Sequence, residues 1–244
     1  MADKTSCLVI GAGDDTGGAV ARAFARQGMV ACVARRHRHA DALEELAQSI
    51  RDEGNEAIAM PTDARDEDEM IALFDRIESE VAPLEVAVFN IGANVQFPIA
   101  DTTARVYRKV WEMACFAGFL MGREAAKRMV PRGHGTIIFT GATASFRGRE
   151  NLSAFAGAKH ALRALAQSMA RELGPKNIHV AHTIIDGAID SNFIREMRPD
   201  VDQARAEDAI LNPDHIAQNY VMLHKQQRTA WTHELDMRPW KEPW

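Results

Sequence analysis

The sequence predicts an α/β fold in which a doubly wound parallel sheet of about seven strands carries helices on both faces. Three observations predict it. Short apolar runs alternate with helix-patterned stretches along most of the chain. The runs are continuously apolar, as strands covered on both faces must be. The 244 residues, 46% of them hydrophobic, suffice for one large core. A single domain over 1–244 is expected, ending in an aromatic tail over 231–244.

Ser6–Ile10 forms the first strand, and helical spacing follows over Thr16–Gln27. Met29–Ala34 is the second strand, Ala40–Asp52 the second helix, Ala57–Met60 a short third strand and Glu67–Glu80 a third helix. Glu85–Phe89 is the fourth strand, and one long helix is expected over Thr103–Val130. Gly133-His134-Gly135 closes that stretch before the strand Thr136–Thr140. Asn151–Leu173 is helical and stops at Gly174-Pro175, since proline cannot extend a helix. The strand Ile178–Ile185, a helix over Asp214–Lys225 and a last strand over Ala230–Asp236 complete the alternation. Strands joined in this way run parallel through right-handed crossovers.

Composition excludes several classes of function. Lys plus Arg is 29 against 34 for Asp plus Glu, a net charge of −5, which supplies no basic face for nucleic acid. No apolar run approaches the roughly 18 residues a membrane span needs. Met1-Ala2-Asp3-Lys4 runs almost directly into a strand, unlike a signal peptide, so a cytoplasmic protein is expected. Cys7, Cys32 and Cys115 are odd in number and far apart, which suits reduced, buried thiols. His179 and His182, three apart in a strand, point to opposite faces, and no metal site is expected.

The first strand leads into Gly11-Ala12-Gly13-Asp14-Asp15-Thr16-Gly17-Gly18, which opens a helix. Glycines there permit a tight turn and let backbone N–H groups reach a pyrophosphate at the helix N-terminus. Glycines alone say little; their place after the first strand of an α/β chain gives them weight. Asp14 and Asp15 oppose such binding: at about 4 Å a carboxylate repels a phosphate charge by roughly 1 kcal/mol in water and about 4 at an effective dielectric near 20. Alternatively they cap the helix and point away from the ligand.

This turn, with Asp63 and Ala64 after the third strand, Asn90-Ile91-Gly92 after the fourth and Asp186-Gly187-Ala188-Ile189-Asp190-Ser191 after the sixth, resembles the short-chain dehydrogenase/reductase family. The resemblance implies a Rossmann fold and a nicotinamide dinucleotide. Gly11 and Gly17 match the outer glycines of the family's turn, while Asp15 replaces the middle one. The resemblance sets Gly11, Asp15, Thr16, Gly17, Asp63, Ala64, Asn90, Gly92, Gly187, Ile189 and Ser191 around the cofactor. Family members that use NAD tend to carry an acid after the second strand. Here Ala34-Arg35-Arg36 stands there, and Arg35 with Arg36 favours a 2′-phosphate, hence NADP(H) over NAD(H).

The family supplies a proton from a tyrosine whose pKa is lowered by a lysine four residues on, one turn along the same helix face. In this chain that pair reads Phe155 and Lys159. The family's serine falls on Ala142, and its helix asparagine on Cys115. Lys159 alone keeps its identity; it can hold the cofactor ribose, or act as proton donor if burial lowers its pKa. Thr143 is the nearest hydroxyl to the lost serine; Ser145, Ser153, Cys115, Tyr107 and Asp186 are further candidate substitutes.

Three chemistries stay open. One is NADP(H)-dependent reduction of a small hydrophobic C=O or C=N substrate by a non-standard site; an iminium accepts hydride without an acid. The others are a non-redox isomerase or lyase reusing the pocket, and a catalytically silent nucleotide- or ligand-binding protein or partner subunit. Asn94, Gln96, Phe97, Phe146, Arg147, Phe193 and Ile194 are expected at the substrate wall. The small residues Ala156, Gly157, Ala158, Ala161 and Ala164 permit close helix packing. The resemblance implies a homodimer or homotetramer built on this helix and on 103–130. Trp231, Trp240 and Trp244 are expected to pack on a neighbouring subunit.

Overall fold

The protein is described here by a computed structural model, which covers residues 4–13 and 15–242; Asp14 and Trp244 lie outside the described residues. Its strands are β1 (Ser6–Ile10), β2 (Val30–Arg35), β3 (Ala57–Pro61), β4 (Leu84–Phe89), β5 (Gly135–Ala142), β6 (Ile178–Ile185) and β7 (Glu234–Met237). The helices are α1 (Thr16–Ala25), α2 (Ala40–Asp52), α3 (Glu67–Arg76), α4 (Ala104–Trp111), α5 (Ala117–Arg132), α6 (Ser153–Leu173), α7 (Asn192–Met197), α8 (Val201–Ala206) and α9 (Pro213–Lys225).

One sheet holds the seven strands in the order β3-β2-β1-β4-β5-β6-β7, and every neighbouring pair is parallel. Side chains alternate across it because successive Cβ atoms of a strand point to opposite faces. Cys7 and Val9 enter the core under α1, α2 and α9, beside Phe24, Leu43 and Tyr220. Leu8 and Ile10 enter the other, under α3, α5 and α6, beside Phe74, Leu120 and Leu162. Both faces are thus dry, and the three cysteines are buried free thiols. The expected doubly wound fold is the one observed.

Side chains set several helix starts. The Asp66 carboxylate accepts the Glu69 N–H at 3.0 Å, and Asn212 Oδ1 accepts the Asp214 N–H at 2.8 Å ahead of Pro213. Several elements differ from expectation: the third helix, for one, ends at Arg76 and passes into a π turn over Ile77–Val81. The long helix is interrupted by a wider π turn over Glu112–Phe116, which carries Cys115. The last strand starts at Glu234, because residues 228–230 form a 3₁₀ turn first. Helices α7 and α8 lie where no helix is expected; six residues each are too few to show a period.

The strand order reverses between β1 and β4, whose crossovers leave on opposite faces. Their carboxyl ends diverge there, and such a gap is where open α/β sheets take ligands.

Candidate active site

Gly11 follows β1 directly with φ +87°, and a Cβ on it would stand 2.7 Å from the Asn90 carbonyl oxygen at the end of β4. A Cβ on Gly17 would overlap the Gly11 carbonyl. Asn90 closes the turn by donating from Nδ2 to Gly11 O at 3.2 Å. The backbone is therefore drawn into a cradle that only glycine can line.

Asp15 sits just before α1 but does not cap it. Its Oδ1 accepts the Asn192 N–H at 3.4 Å, at the start of α7. This corrects the capping alternative for Asp15; for Asp14 it lies outside the described residues. Ser191 accepts the Ile194 N–H at 3.2 Å and so caps α7. Turn and α7 face each other across a cleft of about 590 Å³.

That cleft gathers many of the expected residues. Gly11, Asp15, Thr16, Gly17, Asn90, Gly92, Gly187, Ile189 and Ser191 line it together with Ala142, Thr143, Phe155 and Lys159. Arg35, Arg36, Asp63 and Ala64 lie outside it. Arg35 reaches back along the turn, its Nη1 3.7 Å from where a Gly13 Cβ would be. It makes no hydrogen bond or ion pair among the described residues. Arg36 has its pKa lowered, first by burial and then by Arg38, Arg65 and Arg35, so four guanidiniums converge here. Asp63 forms a two-armed pair with Arg65, whose hydrogen bond holds the Asp63 carboxyl below its usual range.

Lys159 is fully buried in α6. Its Nζ donates to Thr140 O at 2.8 Å and Ile91 O at 3.0 Å, and lies 5.9 Å from the Phe155 ring centre. Burial pushes its pKa down to about 8. Phe155 and Cys115 pack with Val110, Ala114 and Ala144 in a small apolar cluster, which Ala142 borders. Burial raises the Cys115 thiol pKa, against the pull of Lys159.

Among the proposed substitutes, Thr143 donates its hydroxyl hydrogen to Asp186, which is 1% exposed. Arg238 and Arg147 approach the same carboxylate, at 3.1 and 3.4 Å. Ser145 Oγ accepts the Ala142 N–H at 3.1 Å from a fully buried position. The Ser153 Oγ is buried with no hydrogen-bond partner among the described residues, and Tyr107 lies over Gly157, its Oη 2.8 Å from a would-be Cβ. Gly157 thus serves packing of α4 on α6 within one chain.

Asn94, Gln96, Arg147, Phe193 and Ile194 line the cleft as expected, while Phe97 and Phe146 do not. The sequence reading missed Arg149, Leu152 and Glu242. Glu242 arrives because the tail folds back on its own chain: Pro239 Cδ lies 2.8 Å from a would-be Gly187 Cβ, and Trp240 Nε1 donates to Glu207 O at 3.0 Å. Trp231 stacks on His179 at 4.8 Å. The tail expectation is corrected for Trp231, which is satisfied within the subunit; Trp240 stays 74% exposed.

Comparison with known proteins agrees with this geometry. A profile described as short chain dehydrogenase matches residues 5–202. The chain belongs to the short-chain dehydrogenase family. A solved short-chain dehydrogenase from Rhodopseudomonas palustris is 46% identical, with a TM-score of 0.82 over 97% of this chain and 99% of that one. The cis-4-hydroxycyclohexanecarboxylate dehydrogenase of Sinomonas cyclohexanicum is 29% identical over 80% of this chain and 77% of its own. The 7alpha-hydroxysteroid dehydrogenase of Escherichia coli (strain K12) is 29% identical over 82% of this chain and 78% of its own. This family of oxidoreductases binds a nicotinamide dinucleotide and acts on small molecules. Among the described residues, no helix is long and apolar enough to cross a membrane.

Proposed function

We propose that this family member is an NADP(H)-dependent oxidoreductase that reduces a C=O or C=N bond of a small, largely hydrophobic molecule, the whole chain acting as one unit. The observation that carries the reading is the cleft itself. A glycine cradle at the start of α1 fits a pyrophosphate, and a buried lysine stands in an apolar wall of the same cleft. The curated relatives, named for a hydroxycyclohexanecarboxylate and a hydroxysteroid, support redox chemistry at a ring carbon.

A bound reduced nicotinamide supplies the hydride. Arg35, with Arg36 beside it, holds the 2′-phosphate, and Lys159 holds the ribose. Phe155, Ala142 and Cys115 stand where the family's tyrosine, serine and asparagine would be, and none replaces the missing acid. Thr143 cannot either, because its hydrogen is committed to Asp186. Lys159 is then the proton donor for a carbonyl substrate; two of its N–H bonds are fixed by carbonyls and a third remains for the cleft. An iminium needs no proton and tolerates the apolar wall.

Titration with NADPH and NADH, followed by nicotinamide fluorescence, tests the reading. NADPH is expected to bind about tenfold more tightly, the worth of one charge-assisted hydrogen bond, and Arg35→Ala to erase that margin. No binding of either nucleotide at millimolar concentration would sink it.

A further inference from the structure

We propose that the mouth of the cleft is a carboxylate subsite, so that the substrate carries an anionic group separated from its reacting carbon by an apolar body. The inference rests on the functional reading above and names the substrate class of that site. It begins from the fate of two arginines. Arg147 is spent: its Nη2 lies 3.4 Å from Asp186 and its guanidinium covers the Phe146 ring at 5.2 Å. Arg149, two residues on, lines the same cleft, and its side chain has no hydrogen bond or ion pair among the described residues. The adjacent Glu150 does not line the cleft and makes no ion pair with it.

Two neighbouring amides are in the same condition. Asn94 and Gln96 line the cleft, and neither side chain is hydrogen-bonded among the described residues. A backbone bond, Phe97 N–H to Asn151 O at 2.8 Å, holds the two loops that carry them together. Both loops hold a non-glycine residue in the left-handed region, Ala93 at φ +86° and Asn151 at φ +62°. Such conformations are costly and persist where the surrounding structure imposes them.

The charge balance along the cleft points the same way. Its lining carboxylates, Asp15 and Glu242, belong to the end formed by the turn, Gly187 and the tail. Three cations, Lys159, Arg147 and Arg149, line the cleft as well; Asp186 pairs with Arg147, while Lys159 and Arg149 make no ion pair among the described residues. A guanidinium with two amides offers a planar fork plus further N–H donors, which suits a carboxylate and not a neutral ketone. Leu152 and Phe155 lie between Arg149 and Lys159 in the chain and line the same cleft, supplying the apolar stretch.

The test uses the full chain and two probes, a cyclohexanone bearing a 4-carboxylate and its methyl ester. Both are titrated calorimetrically into the protein with and without saturating NADPH. The acid is expected to bind about tenfold more tightly than the ester, as one charge-assisted pair would give. Arg149→Gln should remove that preference and Arg149→Lys retain part of it, with NADPH affinity unchanged in both. Equal binding of acid and ester, or a preference that survives Arg149→Gln, overturns the subsite. Failure of NADPH to bind overturns the cofactor reading instead, since the acid-over-ester margin is also read without nucleotide.

Discussion

Lys159 sits between two carbonyls that stabilise its charge and a phenyl ring that excludes water from it. Burial wins, and the ammonium loses its proton near pH 8 instead of near 10.5. A proton donor must be charged, so carbonyl reduction is expected to hold below about pH 8 and fall above it, while oxidation of the alcohol rises. Lys159→Ala should lower ketone reduction by roughly 10²–10⁴, the usual worth of a general acid. Lys159→Arg should move the alkaline limb upward. A pH profile flat from 7 to about 9.5 would remove Lys159 from the proton path. This residue was legible in the sequence because its spacing is local: it stands four residues after Phe155, as in the family's motif, although the carbonyls that hold it lie 19 and 68 residues away. Gly11 and Gly17 were legible for the same reason. Asp15 was not, since its partner Asn192 lies 177 residues away and turns a supposed helix cap into a bridge to α7. Arg149 was missed because its place in the cleft follows from a backbone bond between two loops, which no spacing along the chain encodes.

At the scale of elements, the junction of α4 and α5 shows what a single helical period conceals. A π turn adds a residue to its ring, so positions five apart come onto one face. Trp111 and Phe116 accordingly stack at 5.7 Å, Phe116 and Phe119 at 6.0 Å, and Arg123 covers Phe119 at 5.5 Å. A regular helix over 103–130 would have spread these rings around the cylinder. Trp111 is 42% exposed and Phe119 39%, an aromatic ladder of the kind monomers seldom leave in water. We propose that it meets a second copy of the chain. Phe119→Glu is expected to halve the mass seen by light scattering while Lys159 stays buried, as checked by retained NADPH binding. An unchanged mass would place the subunit contact elsewhere. The regular elements, by contrast, were legible almost to the residue. Ser6–Ile10, Ala40–Asp52 and Ile178–Ile185 carry their own pattern and punctuation, whereas α7 and α8 are set by contacts around Ser191 and Val201.

For the whole molecule, strand-helix alternation foretold a parallel sheet but not how its last strand is held. β7 is an edge of four residues, and polar side chains fasten it. Arg163 of α6 grips Glu234 with two bonds of 2.6 and 2.5 Å, and His182 of β6 meets the same carboxylate at 3.0 Å. His182 is fully enclosed, and burial lowers its pKa to about 4, although Glu234 pulls the other way. His179 at the amino end of β6 and His224 near the end of α9 are also pushed down by burial. All three stay neutral in the fold and gain protons on unfolding. For His182, stability is therefore full above about pH 6.5 and lost as pH falls towards 4, by about 1.4 kcal/mol per pH unit; His179 and His224 act in the same direction. His182 alone contributes on the order of 3 kcal/mol across that window. The lowered pKa of Glu234 acts in the same sense further down, where its carboxylate must be protonated. Urea unfolding followed from pH 7.5 to 5 should show a midpoint that drops steadily below about pH 6.5, and His182→Gln should reduce the slope by one proton's worth. A midpoint independent of pH across that range would mean these histidines are hydrated in solution and do not seal the β6–β7 edge.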